Sequence, residues 1–95
     1  PNTTTVLTDN IEAEIAKHQG KSIGVLQLKP TTLPAFVTAI EILSQSGDLE
    51  EAAKNLYAAM HRLDHQNLDL IIAQKMPAHG MGNAINDKLE RAATT

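Results

Sequence analysis

The fold of this chain is decided by residues 48–93, which read DLEEAAKNLYAAMHRLDHQNLDLIIAQKMPAHGMGNAINDKLERAA. Asp48 and Glu51, three residues apart, form a capping-box arrangement, which predicts the start of a helix. The apolar residues that follow recur at three- and four-residue steps: Leu49, Ala52, Ala53, Leu56, Ala59, Met60 and Leu63. This spacing predicts an amphipathic helix with one face buried in a core.

A strand and a second helix are predicted next. Residues 68–73 (LDLIIA) are an apolar run too short for a helix and bounded by Pro77 and Gly80, which is typical of a buried strand. After the turn at residues 79–83 (HGMGN), apolar residues return at helical spacing, and Asn83 is the predicted N-cap. A strand followed by a glycine turn and a helix is the unit of an α/β fold.

The first half of the chain adds three strands and a helix. A short strand at residues 5–7 leads into a helix for which Thr8 or Asp9 is the predicted N-cap, and residues 22–28 (SIGVLQL) predict a central strand. The β-branched residues of the run 35–43 (AFVTAIEIL) predict another strand. The predicted order is β-α-β-β-α-β-α, which belongs to the α/β class. We expect a small Rossmann-like three-layer sandwich around a four-stranded, mostly parallel sheet.

Length and composition limit the functions that this domain can carry. With 95 residues the chain is one domain, residues 1–95, in which residues 1–4 resemble the end of an interdomain linker. The formal net charge is −3 without any cluster of lysine and arginine, which disfavours direct binding to nucleic acid or to a membrane surface. There is no cysteine for a disulfide or a thiolate zinc site, and a cytoplasmic location fits that composition.

Two small groups of residues are candidate sites. Gly80, Gly82 and Asn83 follow a predicted strand and precede a helix, so their backbone N–H groups are candidates for binding a phosphate or a carboxylate. The alternative, which we favour, is a tight turn in which the glycines supply positive φ and close packing. His61 and His65 lie four residues apart and are weak candidates for a metal site, but no third ligand is identifiable. No catalytic constellation is present in the sequence.

Three segments carry a resemblance to a known family. They are residues 53–64 (AKNLYAAMHRLD), 68–73 (LDLIIA) and 80–93 (GMGNAINDKLERAA). Together they resemble the C-terminal domain of the two-domain threonylcarbamoyl-AMP synthases, which has a helix ending in Leu-Asp, a strand, and the pattern Gly-x-Gly-x-Ala-(Ile/Val). Residues 1–4 (PNTT) are similar to the end of the family's interdomain segment His-Tyr-Ala-Pro-x-Thr-Pro, with Thr4 in place of the second proline.

The resemblance implies a function for the parent protein rather than for this domain alone. The parent enzymes condense threonine, bicarbonate and ATP into threonylcarbamoyl-AMP, a nucleotidyltransferase reaction that supplies the threonylcarbamoyladenosine modification of tRNA. ATP, Mg²⁺ and the catalytic residues belong to the N-terminal domain of those enzymes, so no catalytic residue is carried over to this chain. The resemblance implies an accessory domain whose partners are that catalytic domain and the tRNA-modification machinery.

Two other functions remain open from the sequence. The first is a standalone module that binds a small ligand or a nucleotide in the crevice at the carboxyl ends of the strands. It would require Gly80, Gly82 and Asn83 to contact the ligand. The second is a protein-interaction domain, which would present an exposed apolar patch as its docking surface.

Overall fold

A computed structural model describes residues 2–93, and its elements follow the predicted order β-α-β-β-α-β-α. They are β1 (Thr5–Thr8), α1 (Ile11–Lys17), β2 (Ile23–Gln27), β3 (Ala39–Ile42), α2 (Leu49–Asp64), β4 (Leu70–Gln74) and α3 (Met81–Ala93). Pro1, the first residue of the predicted linker end, lies outside the described residues. The predicted α/β fold class is confirmed.

All four strands are parallel and lie in the order β1-β4-β2-β3. One row of paired residues crosses the whole sheet, formed by Val6, Ile72, Val25 and Ile40. The central strands β2 and β4 are buried along almost their whole length, because parallel strands between helical layers have two covered faces. Their unbroken apolar runs are the sequence signature of that position.

The helices cover both faces of the sheet. One core cluster joins α1 to the sheet through Ile11, Ile15, Val25 and Ile72. The other joins α2 and α3 to the opposite face, with Leu63 and Leu89 among its fully buried members. The β1-α1-β2 and β3-α2-β4 crossovers run in opposite directions across the sheet, so a common handedness places their helices on opposite faces. This is the predicted three-layer sandwich.

The caps of the first two helices differ in detail from the prediction. Asn10, not Thr8 or Asp9, is the N-cap of α1, and its side-chain oxygen accepts from the N–H of Ala13 at 3.1 Å. Thr8 does not cap the helix directly, and its hydroxyl oxygen instead accepts from the N–H of the N-cap residue Asn10.

Asp48 is the N-cap of α2 as predicted, and its carboxylate accepts from the N–H of Glu50. The capping box is closed through a third residue. The hydroxyl of Ser44 donates to the carboxylate of Glu51, and its oxygen accepts from the N–H of Asp48 at 2.9 Å. In a capping box the Glu51 carboxylate would accept directly from the N–H of Asp48, and here the Ser44 hydroxyl bridges the two groups.

Two predicted boundaries were wrong. The strand expected at residues 35–43 begins only at Ala39, because the N–H of Val37 donates to Pro34 in a turn and Val37 packs on the α1 cluster. Burial of this β-branched residue is thus achieved from a loop. Helix α3 begins at Met81, so Asn83 lies inside the helix and is not its N-cap.

Among residues 2–93, no helix combines the length and the apolar character needed to span a membrane.

Candidate functional site

The glycine turn joins β4 to α3 at the carboxyl end of the sheet. Gly80 has φ +53°, the left-handed conformation for which glycine was predicted here. The N–H of Gly82 donates to the carbonyl of His79 at 2.9 Å, and the N–H of Asn83 donates to the carbonyl of Gly80 at 3.2 Å. The two N–H groups are therefore engaged within the first turn of α3, and anion binding at this turn stays a prediction.

Gly82 is held in close packing. A Cβ atom placed on Gly82 would lie 1.8 Å from the carbonyl oxygen of Pro77, far inside van der Waals contact. Leu49, at the start of α2, lies 3.5 Å from the same point. The absence of a side chain thus lets the first turn of α3 lie directly on the chain that leaves β4.

Asn86 fastens the same helix one turn later. Its side-chain oxygen accepts from the N–H of Met76 at 2.7 Å, and its amide nitrogen donates to the carbonyl of Met76 at 3.0 Å. The side chain therefore satisfies both backbone groups of a buried residue just beyond β4. This role was not predicted from the sequence, in which the signal was a polar residue beside the apolar Ile85.

A crevice of about 730 Å³ lies next to this turn. Its charged lining residues are Asp9, Lys75, Asp87 and Glu90. Asp87 is paired with Arg91, which leaves two carboxylates against one ammonium group. Open α/β sheets bind ligands at this end, but the charge balance here opposes a phosphate or a carboxylate.

Gln27 is a buried amide at the same end of the sheet. Its side-chain nitrogen donates to the hydroxyl of Thr31, while its side-chain oxygen has no hydrogen-bond partner among the described residues. The residue is only 1% exposed. Its amide is therefore sealed from solvent and offers no contact to a ligand in this conformation.

His61 and His65, the weak metal candidates, lie side by side near the end of α2. Their ring centroids are 4.2 Å apart, and the Nδ1 of His65 donates to the carbonyl of His61 at 2.9 Å. Tyr57 also stacks on His61, with 5.9 Å between ring centroids. Between residues 2 and 93 no group of three or more His, Cys, Asp or Glu side chains is arranged to hold a metal ion.

Asp64, the last residue of α2, holds the beginning of the chain. Its carboxylate accepts from the N–H of Asn2 at 2.9 Å and from the N–H of Thr3 at 2.8 Å. Hydrogen bonds from Thr3, above all from its backbone N–H, hold the pKa of Asp64 below its usual value. The end of the predicted linker is thus fixed to the end of α2.

Residues 1–94 match the sequence model of a family described as the threonylcarbamoyl-AMP synthase C-terminal domain. The chain belongs to this family.

Two curated threonylcarbamoyl-AMP synthases are similar to it. The Pyrococcus abyssi protein is 31% identical over 85 residues, 87% of this chain and 23% of that protein. The Bacillus subtilis protein is 30% identical over 87 residues, 90% of this chain and 25% of that protein. The chain thus spans about a quarter of the length of these relatives.

Solved structures share the fold of this chain. The crystal structure of P. abyssi Sua5 complexed with L-threonine superposes with a TM-score of 0.77 at 21% identity, covering 98% of this chain and 28% of that one. The C-terminal Sua5 domain from Pyrococcus horikoshii gives a TM-score of 0.63 at 23% identity, covering 95% of this chain and 92% of that one. The second structure contains little more than the part that matches this chain. The C-terminal domain of that relative was therefore solved without its preceding domain.

Four of the residues that carried the family resemblance have packing or anchoring roles in this structure. In the Leu-Asp pair that ends α2, Leu63 is buried in the core and Asp64 holds residues 2 and 3. In the Gly-x-Gly pattern, Gly80 adopts the positive φ and Gly82 permits the close approach of α3. The threonylcarbamoyl-AMP synthase signatures in this domain thus position the entering chain and the last helix.

Asp64→Asn is expected to destabilise the domain by about 1 kcal/mol at neutral pH, since a charged acceptor of two backbone N–H groups is replaced by a neutral one. The folded-state pKa of Asp64 is lowered, so its contribution is complete above the unfolded-state pKa and is lost as the pH falls through the folded-state pKa. Urea unfolding of residues 1–95 should therefore show a difference between wild type and variant that disappears in acid. The same exchange at the exposed Asp9 is the control, and a difference that does not change with pH would contradict the anchoring role.

Proposed function

We propose that this chain is the C-terminal accessory domain of a threonylcarbamoyl-AMP synthase. The parent enzyme condenses threonine, bicarbonate and ATP into threonylcarbamoyl-AMP and pyrophosphate, and the product serves the threonylcarbamoyladenosine modification of tRNA. The observation that carries the proposal is the family match over residues 1–94 in a chain that spans about a quarter of its curated relatives.

The proposal assigns the chemistry to the preceding domain of the same polypeptide. ATP and Mg²⁺ bind there, and this domain contributes no catalytic residue. Two features of the described residues support that division: the N–H groups of Gly82 and Asn83 are engaged in the fold, and the charged side chains that line the neighbouring crevice include more carboxylates than ammonium groups. Both features also weigh against the standalone nucleotide-binding module.

The accessory role consists in holding the catalytic domain in a defined relation to this one. The carboxylate of Asp64 fixes residues 2 and 3, so the segment that joins the two domains leaves this domain at a set position. The proposal places the protein in the cytoplasm, with the tRNA-modification machinery as its wider partner. Under this proposal other parts of that assembly contact the tRNA, because this domain has a net charge of −3 and tRNA is also negatively charged.

Peptide mapping of the native polypeptide tests the proposal. We expect its intact mass and N-terminal peptides to place about 200 further residues upstream, within the usual size range of a domain. Those residues should reach this domain through a His-Tyr-Ala segment. A native N-terminus at or near Pro1 would contradict the proposal and leave a standalone α/β module.

A further inference from the structure

A groove of about 380 Å³ runs between α2 and α3. The buried Leu56 and Leu89 and the half-buried Met60 form its apolar floor, and two small residues, Ala53 and Ala92, also line it. Small side chains on both helices let the surface of another molecule approach closely. The groove is therefore a concavity whose lining is largely apolar.

Tyr57 lies on the rim of this groove and is 80% exposed. Phe36 is the only other aromatic residue of the chain. The ring of Tyr57 stacks on His61 at an interplanar angle of 20°, so it is supported from one side and presented to solvent on the other. An exposed aromatic side chain beside an apolar pocket has the character of a hot-spot residue in a protein interface.

The same groove lies where the chain enters the domain. Asp64 lines the groove, and its carboxylate binds the N–H groups of Asn2 and Thr3. An extended chain advances at most about 3.5 Å per residue, so the residues just upstream of the domain lie close to this surface. Roughly three-quarters of the length of the curated relatives lies outside the part that this chain matches.

We propose that the groove between α2 and α3 is the surface on which the domain preceding residue 1 docks in the full-length protein. Tyr57 is the aromatic anchor of this interface. The surface that fits the groove is one of apolar side chains, and the exposed Lys88 lies on the rim. The inference rests on the proposed function, because it needs the upstream domain that the proposed function supplies.

Thiol labelling of the full-length protein tests this surface. Two matched variants each replace an exposed helical lysine: Lys88→Cys on the groove rim and Lys17→Cys on α1, which covers the opposite face of the sheet. The rate of maleimide reaction is read from the mass of the peptide that carries each position. We expect labelling to be about tenfold slower at position 88, since a docked state favoured tenfold leaves only a tenth of the molecules open.

Adding Tyr57→Ser to the Lys88→Cys variant should raise the rate at position 88 towards that at position 17. An unchanged slow rate would overturn the role of Tyr57 as the anchor. Equal rates in the two single variants would overturn the docking surface, and so would protection that is lost on dilution, because a second copy of the chain would then be the occupant. The mapping experiment separates the two proposals: a confirmed upstream domain with equal labelling rates contradicts only the docking surface.

Discussion

Gly82→Ala should lower the free energy of unfolding of this domain by about 2–3 kcal/mol. The added Cβ would lie 1.8 Å from the carbonyl oxygen of Pro77, which belongs to the backbone and cannot rotate away as a flexible side chain would. The first turn of α3 must therefore move off the chain that leaves β4. Alanine favours a helix over glycine by about 1 kcal/mol, which offsets only part of the cost. Urea unfolding of residues 1–95, followed by circular dichroism, gives the difference.

Gly80→Ala is the matched control, because it is the same exchange two residues earlier. A Cβ at Gly80 meets nothing within 4 Å, so the cost there comes from the positive φ alone and should be about 1 kcal/mol. Equal losses in the two variants would contradict the close-packing role of Gly82. If Gly82→Ala instead abolished binding of inorganic phosphate while leaving stability unchanged, the glycine turn would be an anion site.

The parts of the fold that could be predicted are those whose signal is local. The buried strands β2 and β4 are unbroken apolar runs, because a central parallel strand has two covered faces. Helix α2 shows its apolar stripe and its N-cap Asp48 within one continuous segment. In each case the residues that reveal the element lie within the element or next to it.

The predictions that were wrong depend on packing that the local sequence does not show. The β-branched Val37 is partly buried because it packs from a loop against the core cluster that α1 shares with the sheet, and the local sequence cannot distinguish this from burial in a strand. Gly82 lies in the first turn of α3, against the carbonyl of Pro77, and a Gly-x-Gly pattern is compatible with a turn or with a helix. The position of β4 between β1 and β2 likewise has no signal in any single segment.

The hydrogen-bond partners of the anchoring side chains could not be predicted from the sequence either. Asp64 was visible as part of the Leu-Asp pair, but its partners Asn2 and Thr3 are 62 and 61 residues away in the sequence. Asn86 contacts the backbone of Met76. Because every residue type has a backbone carbonyl, the identity of residue 76 gives no sign of this contact. The anchoring roles of both side chains could therefore be found only in three dimensions.

The largest difference expected between this domain and the full-length protein is in synthase activity. The full-length protein should convert threonine, bicarbonate and ATP, with Mg²⁺, into threonylcarbamoyl-AMP and pyrophosphate. Residues 1–95 alone should give no product above the uncatalysed background, because the proposed catalytic residues and nucleotide site belong to the preceding domain. Omission of threonine from the full-length reaction is the control for pyrophosphate released by other routes.

A synthase assay on the two proteins side by side, with threonylcarbamoyl-AMP measured by mass spectrometry, tests the accessory-domain assignment most directly. Product is expected from the full-length protein and none from residues 1–95. Product formed by residues 1–95 alone would contradict the accessory role, and a folded full-length protein that forms no product would contradict its assignment as a synthase.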